Sequence, residues 1–239
     1  RTFPDLPPTG QAQLIASLAY HPDAEVQKIV LEAAASKNAE VRAAALRTLG
    51  RSGDATIVGV LADAAASEGP DQKTARASLY ELNARGVEQA IMAALPRADS
   101  KVKVELVRTI GERKMSSATP LLLETAKDPS APVRIESAKV LKVLAGVDQL
   151  PAMVGFLADA SDQSERRELE MAIVAIARRI PTPATQDEVV LTAYNITKKQ
   201  DARTSFVSVL GKIGAPASLP VLCKALGDKN AGIRLAAIR

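Results

Sequence analysis

Seven times in 239 residues the chain returns to one short phrase: an apolar residue, a basic residue, then aliphatic residues at helical spacing. With the basic residue as marker the column reads Arg42, Ala75, Lys103, Arg134, Arg167, Arg203 and Arg234, at steps of 28 to 36 residues. Six of the seven are basic, and at Ala75 an arginine follows one place later, Arg76. Val41, Val102, Val133 and Ile233 stand just before the marker, while Arg166 breaks that rule in the fifth copy. Leu46 and Leu49, Val107 and Ile110, and Val207 and Leu210 follow it at four and seven places. Those offsets put one apolar face on one helix in every copy.

A second pattern precedes the first. "PLLLETAKD" at 120–128, "PAMVGFLAD" at 151–159 and "PVLCKALGD" at 220–228 each place Pro eight residues before Asp. Proline is tolerated in the first turn of a helix, where its missing N–H has no partner to lose. The Asp then follows the last turn and suits the start of the next helix. Gly50, Gly111, Gly146 and Gly211 are expected to end the second helices in a left-handed cap. Each copy is therefore a helical hairpin of about 30 residues, which cannot bury its apolar face without neighbours. Composition agrees with close helix packing: apolar residues make up 47% of the chain but aromatics only 3%, so the core is built from Ala, Leu, Val and Ile.

The phrases "VRAAALRTLG" at 41–50, "VKVELVRTIG" at 102–111, "VRIESAKVL" at 133–141 and "IRLAAIR" at 233–239, with the Pro-to-Asp spacing, resemble the HEAT repeat. The resemblance is to its short bacterial form, the PBS-lyase HEAT-like repeat. It covers residues 11–239 and implies an all-α fold, an α-solenoid in a right-handed superhelix of about seven hairpins. Residues 1–10, with three prolines, are expected to be a linker or N-terminal extension. In HEAT repeats the basic marker pairs with an Asp of the adjoining turn in a ladder from unit to unit. That role is expected of Arg42, Lys103, Arg134, Arg203 and Arg234, and Asp128 and Asp228 have the matching spacing to Arg134 and Arg234. The closing "IRLAAIR" carries ordinary core positions at Ile233, Ala236, Ala237 and Ile238, so the parent protein is expected to continue beyond it.

Residues for catalysis are scarce. His21 is the single histidine and Cys223 the single cysteine, which leaves no His-dependent triad, no disulfide and no multi-Cys or multi-His metal site. Cys223 sits among Val221, Leu222 and Leu226 and is expected to be a buried, inert thiol. "GKIGAP" at 211–216 lacks the spacing of a phosphate loop. The chain is expected to be no enzyme, with no catalytic residue, metal or cofactor and no small-molecule substrate. No run reaches the roughly 18 apolar residues that span a bilayer.

Binding must then come from the surface. Five residues after the marker a side chain points away from the core, and that column reads Arg47, Tyr80, Arg108, Lys139, Ala172, Ser208 and Arg239. Glu105 and Glu136 stand three residues before Arg108 and Lys139, at the spacing that neutralises them. In "ELEMAIVAIARR" at 168–179, Met171, Val174 and Arg178 fall on the expected core seam, which leaves Leu169, Ala172 and Ile176, with Val143 one unit earlier, on the outer face. These four are either an exposed contact patch or the core of a rotated helix. The leading function is a non-catalytic scaffold that holds a protein partner, or another domain of the same polypeptide, along its concave face. Units such as 75–95 and 170–180 resemble HEAT arrays of large exported bacterial proteins, which implies a periplasmic or extracellular location and leaves the cytoplasm open. The alternative is a nucleic-acid-binding protein, since a family of bacterial DNA glycosylases has a HEAT-like fold. The modest net charge of +4 and the lack of Trp weigh against it.

Overall fold

The computed structural model describes residues 3–21 and 23–238. Among them are fifteen α-helices, short 3-10 turns and no β-strand. Arg1 and Thr2 of the expected linker, Pro22 beside His21, and Arg239 of the outer column lie outside the described residues. The chain divides into two compact units, the first running to Met115 and the second starting at Ser116.

The first unit holds α1 (Pro8–Ser17), α2 (Ala24–Ala34), α3 (Ala39–Ser52), α4 (Val58–Ala66), α5 (Gln72–Glu81), α6 (Val87–Ala94) and α7 (Ser100–Glu112). Helix α2 packs on α3 and α4 on α5, while α1, α3, α5 and α7 stack in succession. The first helix starts at Pro8, inside the expected linker, because its Ala12 and Ile15 bury themselves against this stack. The second unit holds α8 (Thr119–Thr125), α9 (Ala131–Leu144), α10 (Leu150–Asp159), α11 (Gln163–Ala177), α12 (Glu188–Ile196), α13 (Gln200–Ile213), α14 (Leu219–Leu226) and α15 (Ala231–Ile238). Here the hairpins are α8–α9, α10–α11, α12–α13 and α14–α15, and the second helices α9, α11, α13 and α15 stack in order.

Local chemistry starts several helices, but not through the Asp of the Pro-to-Asp spacing: Asp159 closes α10, and Ser130 and Asn230, not Asp128 and Asp228, stand at the starts of α9 and α15. Asp23, Asn38, Asp99 and Asp162 each accept hydrogen bonds from backbone N–H groups of the following first turn. Pro120, Pro151 and Pro220 occupy first-turn positions of α8, α10 and α14. Between the layers, Leu49, Leu79, Leu106, Leu122, Leu141 and Phe206 are fully buried. Each such side chain contributes about 2 kcal/mol on leaving water.

Two second helices sit one residue off the expected column. In α5 the buried positions are Ala75, Ser78 and Leu79, with Leu82 just past its end, so Arg76, not Ala75, takes the basic place. In α11 they include Glu165, Leu169, Ala172, Ile173 and Ile176, so the marker is Arg166, not Arg167. Leu169, Ile173 and Ile176 take the core, Val174 is buried with them as expected, and Met171 and Arg178 turn outward. With this register all seven marker positions are basic: Arg42, Arg76, Lys103, Arg134, Arg166, Arg203 and Arg234.

Three glycines expected to end helices do not. Gly50, Gly111 and Gly211 lie within α3, α7 and α13, and Gly146 has φ −86°. The left-handed residues that follow second helices are Lys114 (φ 53°) and Gly214 (φ 72°). At the chain's end, Ile233 and Ala236 are buried as expected, whereas Ile238 is 71% exposed. Helix α15 packs on α13 and α14, and Leu235 and Ile238 turn away from both.

Candidate interaction face of the second helices

The marker guanidiniums act at the edge of the core. Arg42 Nε meets Asp71 Oδ2 at 2.6 Å, and its Nη1 donates to the carbonyls of Ser36 and Lys37. Arg76 holds Glu105 through two bonds of 2.7 and 2.8 Å, and Arg134 holds Glu165 through two of 2.9 and 2.8 Å. Such planar, bidentate pairs are the stronger kind of ion pair. Glu165 pushes the Arg134 pKa up, and burial opposes that shift. The carboxylate in each case belongs to the following hairpin, which ties neighbours together.

This corrects the expected pairing. Arg134 Nη1 donates to the backbone carbonyls of Asp128 and Pro129, and Arg234 Nη1 to those of Asp228 and Lys229. The Asp128 and Asp228 carboxylates accept the N–H of Ser130 and Asn230 two residues on. An Asp there is better used to fix its own turn, because the local N–H is within reach and stays so in every conformer of the arginine. Arg203 differs again, stacking its guanidinium 4.4 Å from the Tyr194 ring and donating to its hydroxyl.

A second set of arginines went unread in the sequence. Arg113 Nη1 donates to the carbonyls of Tyr80 and Leu82 at the end of α5, and Arg179 to those of Lys142 and Ala145 at the end of α9. Arg178 donates likewise to Lys212 in α13. Cations here satisfy orphan carbonyls and face the negative end of the helix dipole. The signal was a basic residue closing the second helix of several copies, beside the more obvious marker.

Outward of this edge lie the candidate contact residues. Arg47 is exposed. Arg108 Nη1 meets Glu105 Oε1 at 2.6 Å, and Lys139 Nζ meets Glu136 Oε2 at 3.3 Å, so both cations face a carboxylate on their own helix. Tyr80 is half-buried beside this cluster, and burial pushes its hydroxyl up to about 12. Val143 is 57% exposed. Leu169, Ala172 and Ile176 are not exposed at all: the rotated register places them in the core, and Met171, expected in the core, is on the surface instead. Asp substitutions at Val143 and Met171 are accordingly expected to change stability by about 0.5 kcal/mol or less, a limit that urea unfolding can check. Cys223 is exposed rather than buried, on the face of α14 that also shows Leu219 and Leu226.

The second unit carries several grooves, of which two matter here. One of about 600 Å³ runs between α10 and α12, lined by Val154, Gly155, Ala158, Val189, Ala193 and Ile196. The other, of about 950 Å³, lies along α11, α13 and α15 and is polar, with Arg166, Arg167, Glu170, Asp201, Ser208 and Lys212 on its walls. Among the described residues no helix is long and apolar enough to cross a membrane.

The family model for HEAT repeats matches residues 3–83 and 88–174. The chain belongs to the HEAT-repeat family. The model for the PBS lyase HEAT-like repeat adds residues 202–228 of this HEAT-repeat protein. No curated protein matches it. Among solved structures, an engineered protein is 16% identical with TM-score 0.41, covering 90% of this chain and 94% of its own. Escherichia coli YibA is 16% identical with TM-score 0.47, covering 99% and 86%. Neither likeness is close enough to add to the fold argument.

Proposed function

We propose that this HEAT-repeat protein is a non-catalytic scaffold that holds a protein partner, or a neighbouring domain, on the face of its second helices. The observation that carries this reading is the groove of about 950 Å³ along α11, α13 and α15, walled by groups of both charges. In the same unit the outer positions of the second helices, among them Lys139 and Met171, stay exposed while the inner positions build the core. Mixed charge of this kind favours specific protein contact over a general attraction to polyanions.

The test is partner co-purification from the source cells, followed by variants on each face. Lys139→Glu and Met171→Glu should lose the partner, and Ile196→Glu on α12 should keep it. Loss through Ile196→Glu alone would move the interface to the first helices and end this proposal.

Duplex DNA is expected to bind no better than the non-specific level, with Kd of about 10⁻⁶ M or weaker at physiological salt. The reason is local: Arg108 and Lys139 are already matched by Glu105 and Glu136. Fluorescence anisotropy with a 20-base-pair probe reads the constant, and a nanomolar, steeply salt-dependent complex would favour the nucleic-acid alternative.

A further inference from the structure

Arg166 breaks the rule that the upstream guanidiniums obey. Arg42, Arg76 and Arg134 each hold a carboxylate at 2.6–2.9 Å. Arg166 instead faces Asp201 Oδ2 at 3.7 Å, too long for a hydrogen bond, and the Asp201 side chain is 82% exposed. Its Nη1 is buried with no acceptor among the described residues. A buried donor left unmet is costly, and any group that reaches it recovers that cost. Arg166 stands in the wall of the polar groove along α11, α13 and α15.

We propose that this groove captures a carboxylate-bearing peptide segment, with Arg166 as the residue that receives the carboxylate. The inference rests on the scaffold reading above and names the chemistry of the partner. The chain itself shows what such a guanidinium takes: at the equivalent position of α9 it grips Glu165 with both arms of its fork. A peptide carboxylate would displace the loose Asp201 and draw Arg166 outward, which relieves the unmet donor. A planar carboxylate fits that fork with two parallel bonds.

The rest of the groove suits a peptide. Arg167, beside Arg166, is exposed and adds a second cation at the mouth. Glu170 accepts from Ser208 Oγ and Lys212 Nζ, so its charge is already answered, and Glu168 and the exposed Asp201 are the remaining acids on the wall. Gln163 and Gln200 present exposed amides along the same wall, able to meet a peptide backbone. A volume of about 950 Å³ holds several residues of an extended chain.

The probe is a fluorescein-labelled decapeptide of alternating Glu and Gly, amidated at its C-terminus, compared with its Gln twin on the full 239-residue chain. Anisotropy should show the Glu peptide bound at least about tenfold tighter, the equivalent of 1.4 kcal/mol. Asp201→Asn, which removes the resident competitor at an exposed site, should tighten the Glu peptide further. Arg166→Lys, which keeps the charge but loses the fork, should abolish most of the preference. If Arg166→Lys lowers the melting temperature, Arg167→Gln serves in its place, since that side chain is exposed, and should weaken the Glu peptide severalfold. Equal binding of the two peptides, or a Glu preference indifferent to both Asp201→Asn and Arg167→Gln, would overturn the proposal. In that event a partner that still depends on Met171 would leave the scaffold reading standing.

Discussion

Replacing Glu105 with alanine is expected to destabilise the protein by about 3 kcal/mol, the low end of the range for stripping one partner from a buried ion pair. Glu105 is 4% exposed and receives three guanidinium bonds, two from Arg76 of the preceding hairpin and one from Arg108 of its own helix. Its removal leaves both arginines without that carboxylate at the edge of the core. Their side chains keep 27% and 29% of their surface, so water recovers part of the loss and the upper end of the range is not reached. Arg108→Ala is a different experiment. It removes one i,i+3 bond from a carboxylate that keeps both bonds from Arg76, so Glu105 is not left unpaired and the cost should stay below about 1 kcal/mol. Urea unfolding of the two variants gives the comparison. Equal costs would mean that Glu105 acts by local charge balance and not as the link between neighbouring hairpins.

How much of this was legible in the sequence depends on what each signal encodes. The repeat, the all-α class and the first-turn prolines were readable because they follow from backbone chemistry and apolar spacing, which are local. The register of α11 was not, because its stretch 165–177 carries two apolar stripes and counting cannot say which meets α9. Only burial resolves it, in favour of Leu169, Ile173 and Ile176. Partner choice for the arginines failed for a related reason. Asp128 is near Arg134 in sequence, but Glu165 is its bidentate partner from 31 residues away, a relation that exists only after the hairpins stack. The exposed thiol of Cys223 misled in the same way, since apolar neighbours in a helix do not guarantee a neighbour in space.

Two glycines at equivalent places in the repeat should answer oppositely to the same substitution, Gly50→Ala and Gly211→Ala. Both sit inside second helices, where alanine is intrinsically favoured by roughly 1 kcal/mol. At Gly50 an added Cβ would lie 2.6 Å from the Ser78 Cα and 2.8 Å from its carbonyl oxygen. Those are backbone atoms of α5, which cannot turn aside as a side chain would, so α3 and α5 must part. Overpacking of this kind costs about 1–3 kcal/mol and occasionally more. With rigid backbone on the far side, Gly50→Ala belongs at the upper end, and after the helical gain the net loss is expected at about 2 kcal/mol. At Gly211 the nearest atoms, the Ala236 carbonyl oxygen and Leu222 Cδ2, stand 4.0 Å away. The new methyl meets open space, so only the gain remains, about 0.5–1 kcal/mol of added stability. Urea unfolding should therefore move the two midpoints in opposite directions. A stabilising Gly50→Ala would show that α3 and α5 can separate at little cost, and that glycine at 50 is not what brings them together.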